Sequence, residues 1–184
     1  MTRHIGSRIA EDPAEVQFRG FVRSRTAALQ RTAFLLTGDR HLAEDLVQDA
    51  LARTHRAMRR LADDGHFEAY ARTAMYHLHV RRWRRTRFAE SLPGDLTDLA
   101  EPGGDHAGHT DLKISLHQAL AQLTRRQRAV LVLRFFEDRT EAEAADLLSC
   151  SIGTVKSQTS KALARLRAVA PELLPGAETK EATR

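Results

Sequence analysis

Apolar residues recur along most of this chain at spacings of three and four, the signature of amphipathic helices rather than of strands. The first predicted helix opens at Asp12-Pro13-Ala14-Glu15, with a capping carboxylate, a proline at the first helical position and an acid at the third. Val16, Phe18, Phe21, Val22, Leu29, Ala33, Leu35 and Leu36 carry it to Gly38, which closes it. Asp39 opens a second helix with an expected buried line at Leu42, Leu46, Ala50, Thr54, Met58 and Leu61. Asp63-Asp64-Gly65 breaks the chain. A third helix then runs from Phe67 to about Phe88, with Phe67, Tyr70, Ala71, Ala74, Met75 and Leu78 facing inward.

Periodicity lapses over residues 89–111, which combine turn formers and acids and read as a linker. Fully extended, a linker of this length reaches roughly 70 Å, so the flanking modules need not touch. Leu112, Leu116, Leu120 and Leu123 restart the pattern, Thr124 and Gln127 have the spacing of a capping box, and a helix through Val130, Leu131, Leu133, Phe135 and Phe136 follows. Thr140 and Glu143 form a second capping box. Ala144 and Ala145 are small enough for a close helix crossing, and Ser149, Cys150 and Ser151 make a short turn in which Ser151 caps the next helix. Ser149 stands where such a turn favours glycine. The last helix places Ile152, Val155, Thr159, Ala162 or Leu163, Leu166 and Val169 on one stripe, so residues 140–169 read as a helix-turn-helix.

Composition sharpens the fold class. With 42% hydrophobic and only 5% aromatic residues, and few β-branched runs, the chain is expected to be all-α: two small helical domains joined by a flexible acidic linker. The expected bounds are 12–90 for the first domain, 91–111 for the linker, 112–170 for the second domain and 171–184 for a short tail. No apolar run approaches the ~20 residues that span a bilayer, and no secretory hydrophobic segment opens the chain, so a cytoplasmic protein is expected. The single cysteine, Cys150, excludes an internal disulfide and reads as a packed thiol.

The net charge of +5 matters once divided along the chain. Residues 1–90 hold 17 arginines against 11 acids, residues 91–112 hold five acids and no lysine or arginine, and residues 113–184 hold 12 basic and eight acidic groups. Two basic blocks flanking an acidic spacer suit a nucleic-acid partner. In the final helix Thr154, Lys156, Ser157, Gln158, Ser160 and Lys161 offer the donors, acceptors and charges that a helix in a major groove needs. A plain helical hairpin with a solvated polar face has the same local pattern. Tyr76, His79, Arg81, Arg82, Trp83, Arg84, Arg85 and Arg87 interleave aromatics with cations, as a platform for unstacked bases does. The alternative there is a core anchor at Trp83 beside a solvated, Arg-rich helix end. Glu44, Asp45, Gln48 and Asp49 fall at i, i+1, i+4 and i+5, an acidic face in an otherwise basic block, suited to docking a protein or simply to solvent. His106 and His109, with His77, His79 or Cys150, lack zinc-ligand spacing, so no metal and no cofactor are expected. No nucleophile–base pair, catalytic carboxylate pair or phosphate-cradling loop is evident, so neither an enzyme nor a small-molecule substrate is expected.

The order AEDLVQDALARTHRAM, an Arg/aromatic helix, an acidic linker, LTRRQRAVLVLRFFED and GTVKSQTSKALARLR resembles the extracytoplasmic-function (ECF) sigma factors, in particular the actinobacterial SigE-like group, over about residues 14–170. The resemblance implies a factor that binds core RNA polymerase and directs promoter recognition and opening without itself doing chemistry. It assigns the acidic face to the polymerase clamp helices, the stretch 76–87 to the melted minus-ten element, and the final helix to the minus-thirty-five element as duplex. It also implies a linker that threads polymerase toward its active centre and RNA exit path, and an anti-sigma protein as regulator. The family commonly carries Gly at Ser149 and Arg at Gln158 or Lys161, so the promoter bases read here are expected to be unusual; it often carries Asn or Asp at Tyr76, His77 and Val80, which leaves open the residues that capture minus-ten bases. A stand-alone helix-turn-helix repressor or activator is the alternative function, and a protein that sequesters a partner on the acidic face is a third.

Overall fold

The computed structural model describes residues 12–62, 66–89 and 111–171 of the chain. Capping residues start and stop its helices where chain chemistry requires. Asp12 Oδ1 accepts from the Ala14 N–H at 3.0 Å, Pro13 takes the first helical position, and α1 (Pro13–Thr37) ends on Gly38 in the left-handed region at φ 73°. Glycine is required there twice over. A Cβ would be strained by the backbone and would lie 2.5 Å from Arg128 Nη1. Asp39 caps α2 (Arg40–Arg56) through the Leu42 N–H at 2.8 Å, a short α3 (Met58–Ala62) follows, and α4 spans Phe67–Ala89. The expected break at 63–65, the linker and the tail beyond 171 lie outside the described residues.

The first core forms where α1, α2 and α4 meet: Leu29, Ala33 and Leu36 pack with Leu46, Val47 and Ala50 and with Ala71, Ala74 and Met75. A smaller aromatic cluster of Phe18, Leu61 and Phe67 closes one end, with Phe21 and Phe67 stacked at 5.7 Å. The buried line of α2 differs from the expected one. Leu42 is 49% exposed and Met58 falls beyond the helix, while Ala43, Leu46, Val47, Ala50 and Thr54 are buried. A row of strict fourth residues drifts about 40° per step around a helix of 3.6 residues per turn, so it cannot stay on one contact face for long. The observed set mixes threes and fours and does not drift. Val16, near the free start of α1, is likewise exposed.

The second module begins with α5 (Asp111–Ala121) and α6 (Arg125–Leu131). Both halves of the Thr124–Gln127 capping box are present, at 3.2 and 3.1 Å. α6 then widens into a π-helical turn (Val132–Phe136), with the Glu137 N–H reaching back to the Val132 carbonyl at 2.9 Å. That turn leaves Phe135 and Phe136 exposed and delivers Glu137 to the first module. α7 (Glu141–Leu148) carries the second capping box, with Thr140 and Glu143 in reciprocal bonds. Ser149 turns the chain at φ 50°, and Ser151 caps α8 (Ile152–Val169) through the Thr154 N–H at 3.1 Å. Ala144 and Ala145 are buried against Val155, as close crossing requires, and Ala162 and Leu166 pack on Leu120 and Leu123. The ends of the expected α8 stripe, Ile152 and Val169, are exposed instead.

The linker's length left contact between the modules open; the fold closes it. One continuous apolar cluster runs from α1, α2 and α4 into Val130, Leu133, Ala145, Leu148 and Val155.

Ser149 is strained by its left-handed backbone, and only its carbonyl, not its side chain, bonds to another helix. Ser149→Gly removes the strain at the cost of a more flexible unfolded chain, so a net gain of about 0.5–1 kcal/mol is expected in urea unfolding. A variant no more stable than wild type would show that the turn is not strained there.

Candidate nucleic-acid and polymerase interfaces

The front of α8 is built by its turn. With Ser151 spent on the cap, Ser157 Oγ donating to the Thr154 carbonyl at 3.0 Å and Val155 buried, the helix is locked at its start. Lys156, Ser157, Ser160 and Lys161 are exposed at i, i+1, i+4 and i+5, which puts them on one face. Thr154 and Gln158 are half-buried at its margin, and Thr154 also shares a 2.9 Å hydroxyl bond with Ser151. Lys156 lies 3.7 Å from Glu141 of α7, a loose surface pair easily exchanged for phosphate.

The acidic face of α2 is also on the surface. Asp45 and Gln48 are exposed, Glu44 pairs with Arg40 one turn earlier at 3.3 Å, and Asp49 accepts from Arg82 Nη2 of α4 at 2.8 Å. Thus one arginine from the expected DNA set is anchored on a carboxylate from the expected docking set. The two surfaces share an edge.

α4 departs most from a simple amphipathic reading, because it buries two stripes. Ala71, Met75 and Leu78, with Arg82 at the margin, recur at i, i+4, i+7 and i+11 and face the first core and α2. Arg72, Tyr76, His79 and Trp83 repeat the same spacing one residue later, about 100° around the helix. That second stripe meets the other module. Tyr76 is 1% exposed, His79 5% and Trp83 7%, and the His79 and Trp83 rings meet edge to face at 6.3 Å. Arg81, Arg84 and Arg85 remain at the surface. With His77, Val80 and Ser149 they rim a groove of about 360 Å³, and Arg84 Nη2 donates to the Ser149 carbonyl at 3.1 Å. The expected minus-ten residues therefore divide into a buried aromatic stripe and an exposed cationic margin. The Arg87 side chain lies outside the described residues.

Four further residues, none singled out from the sequence, hold this seam. Glu137 has a side chain only 7% exposed, accepts from Thr32 Oγ1 of α1 at 2.8 Å and is paired with Arg72 of α4. Arg72 also bonds Glu68 at 3.0 Å; burial opposes its charge, but Glu137 and Glu68 outweigh it and hold the guanidinium above its ordinary range. Arg128 of α6 is 1% exposed, packs on Gly38 and donates Nε to the Leu120 carbonyl at 3.0 Å. Burial, with Arg125 adding repulsion, lowers it to about 10, still cationic near neutral pH. Arg72 shares the spacing of the second stripe, a signal available in the sequence. Nothing local marks Arg128 or Thr32.

Tyr76 Oη, His79 Nε2 and Arg128 Nη2 are buried without a hydrogen-bond partner among the described residues. Burial pushes the Tyr76 hydroxyl up, with Glu137 adding to it. Burial, then the positive charges of Arg128, Arg125 and Arg82, lowers His79 from 6.5 to about 4. His79 is thus neutral in the folded protein near pH 7. Below pH 6.5 the unfolded chain takes up a proton that the folded chain refuses until about pH 4, so stability present above 6.5 is lost across that window. The loss from this group is about 3 kcal/mol in all. His79→Gln should therefore flatten the fall of urea midpoints with pH between 6.5 and 4; parallel profiles for variant and wild type would acquit His79.

Comparison with known proteins identifies the two modules. Residues 21–89 match sigma-70 region 2, and residues 113–166 match sigma-70 region 4. The RNA polymerase sigma-E factor of Streptomyces coelicolor is 39% identical over 154 residues, covering 83% of this chain and 85% of that protein. Its counterpart in Streptomyces antibioticus is 38% identical over 83% of each chain. The ECF sigma factor SigM of Mycobacterium tuberculosis is 29% identical over 75% of this chain and 69% of its own. Among solved structures, the sigma factor RpoE of Bartonella quintana, crystallised with the anti-sigma factor NepR, superposes with a TM-score of 0.58 at 25% identity, covering 83% of this chain and 95% of that one. With both conserved regions in order on one helical chain, this protein belongs to the ECF sigma factors of the sigma-70 family, non-catalytic factors that direct RNA polymerase to promoters.

Proposed function

We propose that the division of labour within this factor follows its exposed faces. Asp45, Gln48 and Asp49, with Glu44 at the edge, dock on the polymerase clamp helices. Lys156, Ser157, Ser160 and Lys161, with Thr154 and Gln158, read the minus-thirty-five element as duplex. Arg81, Arg82, Arg84, Arg85 and Arg87 hold the backbone of the melted minus-ten strand while Tyr76, His79 and Trp83 supply ring surfaces for its bases. The functional domains are 12–90 and 112–170, and residues 91–111 pass through polymerase between them. The observation that carries this reading is that α8 and α2 present their polar faces, one basic and one acidic, to solvent on different modules. Opposite charge on separate modules lets one chain hold a protein and a nucleic acid at once.

The factor works in the cytoplasm, where the polymerase is; among the described residues no helix is long and apolar enough to cross a membrane. It is restrained by an anti-sigma protein. The likeness to a sigma factor crystallised with one supports that partner.

Reversing the acidic face by Asp45→Arg with Asp49→Arg should abolish stoichiometric co-purification with core polymerase. Helix content should be kept, because the ion pair lost among the described residues, Asp49 to Arg82, is partly exposed and worth at most about 1 kcal/mol. Wild-type retention on core polymerase by the folded double variant would remove this face from the interface, and failure of the wild type itself to co-purify would favour a stand-alone repressor. Lys156→Ala with Lys161→Ala should weaken holoenzyme binding at a minus-thirty-five element by about 1–3 kcal/mol and reduce its salt dependence. An unchanged footprint and salt slope would place promoter reading elsewhere on α8.

A further inference from the structure

Helical spacing alone would put both apolar side chains of the first turn of α8 on its buried stripe. The fold separates them. Val155 is buried in the core, whereas Ile152 is 46% exposed and belongs to none of the packed apolar clusters. Ile152, Lys156 and Ser160 recur every fourth residue, so all three lie within about 80° of one another around the helix. Lys156 and Ser160 belong to the face assigned above to duplex DNA. An aliphatic group therefore stands at the edge of a polar, cationic surface. Val169, the other exposed end of the stripe, lies about 25 Å farther along the axis and outside that face.

The hydroxyls around Ile152 are already engaged. Ser151 Oγ accepts from the Thr154 N–H at 3.1 Å and shares a hydrogen bond with the Thr154 hydroxyl at 2.9 Å. Ser157 Oγ donates to the Thr154 carbonyl at 3.0 Å, which uses its single proton. What the first turn can offer a base pair is chiefly the branched side chain of Ile152. Gly153 beside it adds no bulk: among the described residues, a Cβ there would meet only Ser151 Oγ, at 3.8 Å. The edge of a base pair can thus come up to Ile152 unobstructed.

One feature of the major groove suits such a group. Thymine presents its C5 methyl there, while guanine, adenine and cytosine present hydrogen-bond donors and acceptors. In a helix-turn-helix the first residues of the second helix are the ones that reach base edges. We propose that Ile152 is a thymine reader: its methyl groups pack on the C5 methyl of one T·A pair of the minus-thirty-five element, next to phosphates held by Lys156 and Lys161. This rests on α8 lying in duplex, as proposed above, and adds an apolar contact to the polar set named there. Any other base at that place sets polar edge groups against an aliphatic chain, where they go unpaired.

The test uses holoenzyme assembled from the full chain and core RNA polymerase. Duplexes are selected from a promoter library randomised upstream of the minus-ten element, and the enriched element should contain a fixed thymine. Each thymine of the best duplex is then replaced singly by deoxyuridine, which removes the methyl and keeps every hydrogen-bonding group. At one position the wild type should lose about fourfold in affinity, the worth of one buried methyl. Ile152→Ala should bind the thymine and uracil duplexes equally, and Ile152→Val should keep part of the preference. Because the ratio is read within each variant, a general loss of affinity does not imitate the result. An enriched element without a fixed thymine, equal binding of both duplexes by the wild type, or equal discrimination by the wild type and Ile152→Ala would overturn the assignment while leaving the minus-thirty-five reading intact. A selection that enriches no upstream element would refute that reading, and this inference with it.

Discussion

Glu137 is the constraint around which the two modules are arranged. A carboxylate taken from water demands compensation, and this one finds it in a hydroxyl from α1 and a guanidinium from α4. Both lie more than sixty residues earlier in the chain. The π-helical turn exists at the right place to deliver it. Its wider course leaves two phenylalanines in solvent and directs the acid between two helices of the other module. Breaking such a pair by removing one partner typically costs about 3–5 kcal/mol, more than most surface pairs contribute together.

That pairing explains why α4 looks confused as an isolated sequence. Its apolar and basic residues do not separate into one wet and one dry face, because the helix serves two cores at once. One stripe completes the first module, the stripe beside it receives the second, and what remains outside is a narrow cationic margin ending on Ser149. The same helix thus belongs to the fold of one domain and to the seam with the other. Sigma-70 regions 2 and 4 are covalently distant yet packed together here, and the surfaces left facing solvent are the acidic face of α2 and the polar face of α8.

Much of this was legible beforehand. Caps at Asp12, Asp39, Thr124, Thr140 and Ser151, and the stop at Gly38, appear as their residue types demand, because each rests on a hydrogen bond spanning two to four residues. The strain at Ser149 was readable from the turn alone. The polar faces of α2 and α8 were readable too, since spacing on a helix determines which side chains share a side. The buried line of α2 was misplaced because strict fourth residues drift around the helix, and Leu42 and Met58 were drawn in where Ala43 and Val47 do the packing.

The sequence by itself determined most of the helices and their caps, the helix-turn-helix and the segregation of charge, all of which follow from interactions within a few residues; the break between α2 and α3 and the π-helical turn after α6 were not among them. Only the tertiary structure decided that Tyr76, His79 and Trp83 are covered, that Arg128 lies against Gly38, and that Glu137 bridges to Thr32 and Arg72. Those outcomes depend on which helix faces meet across a separation of many residues. No local pattern encodes that choice, because an aromatic and cationic stripe is equally suited to stack on bases or to pack against a neighbouring helix.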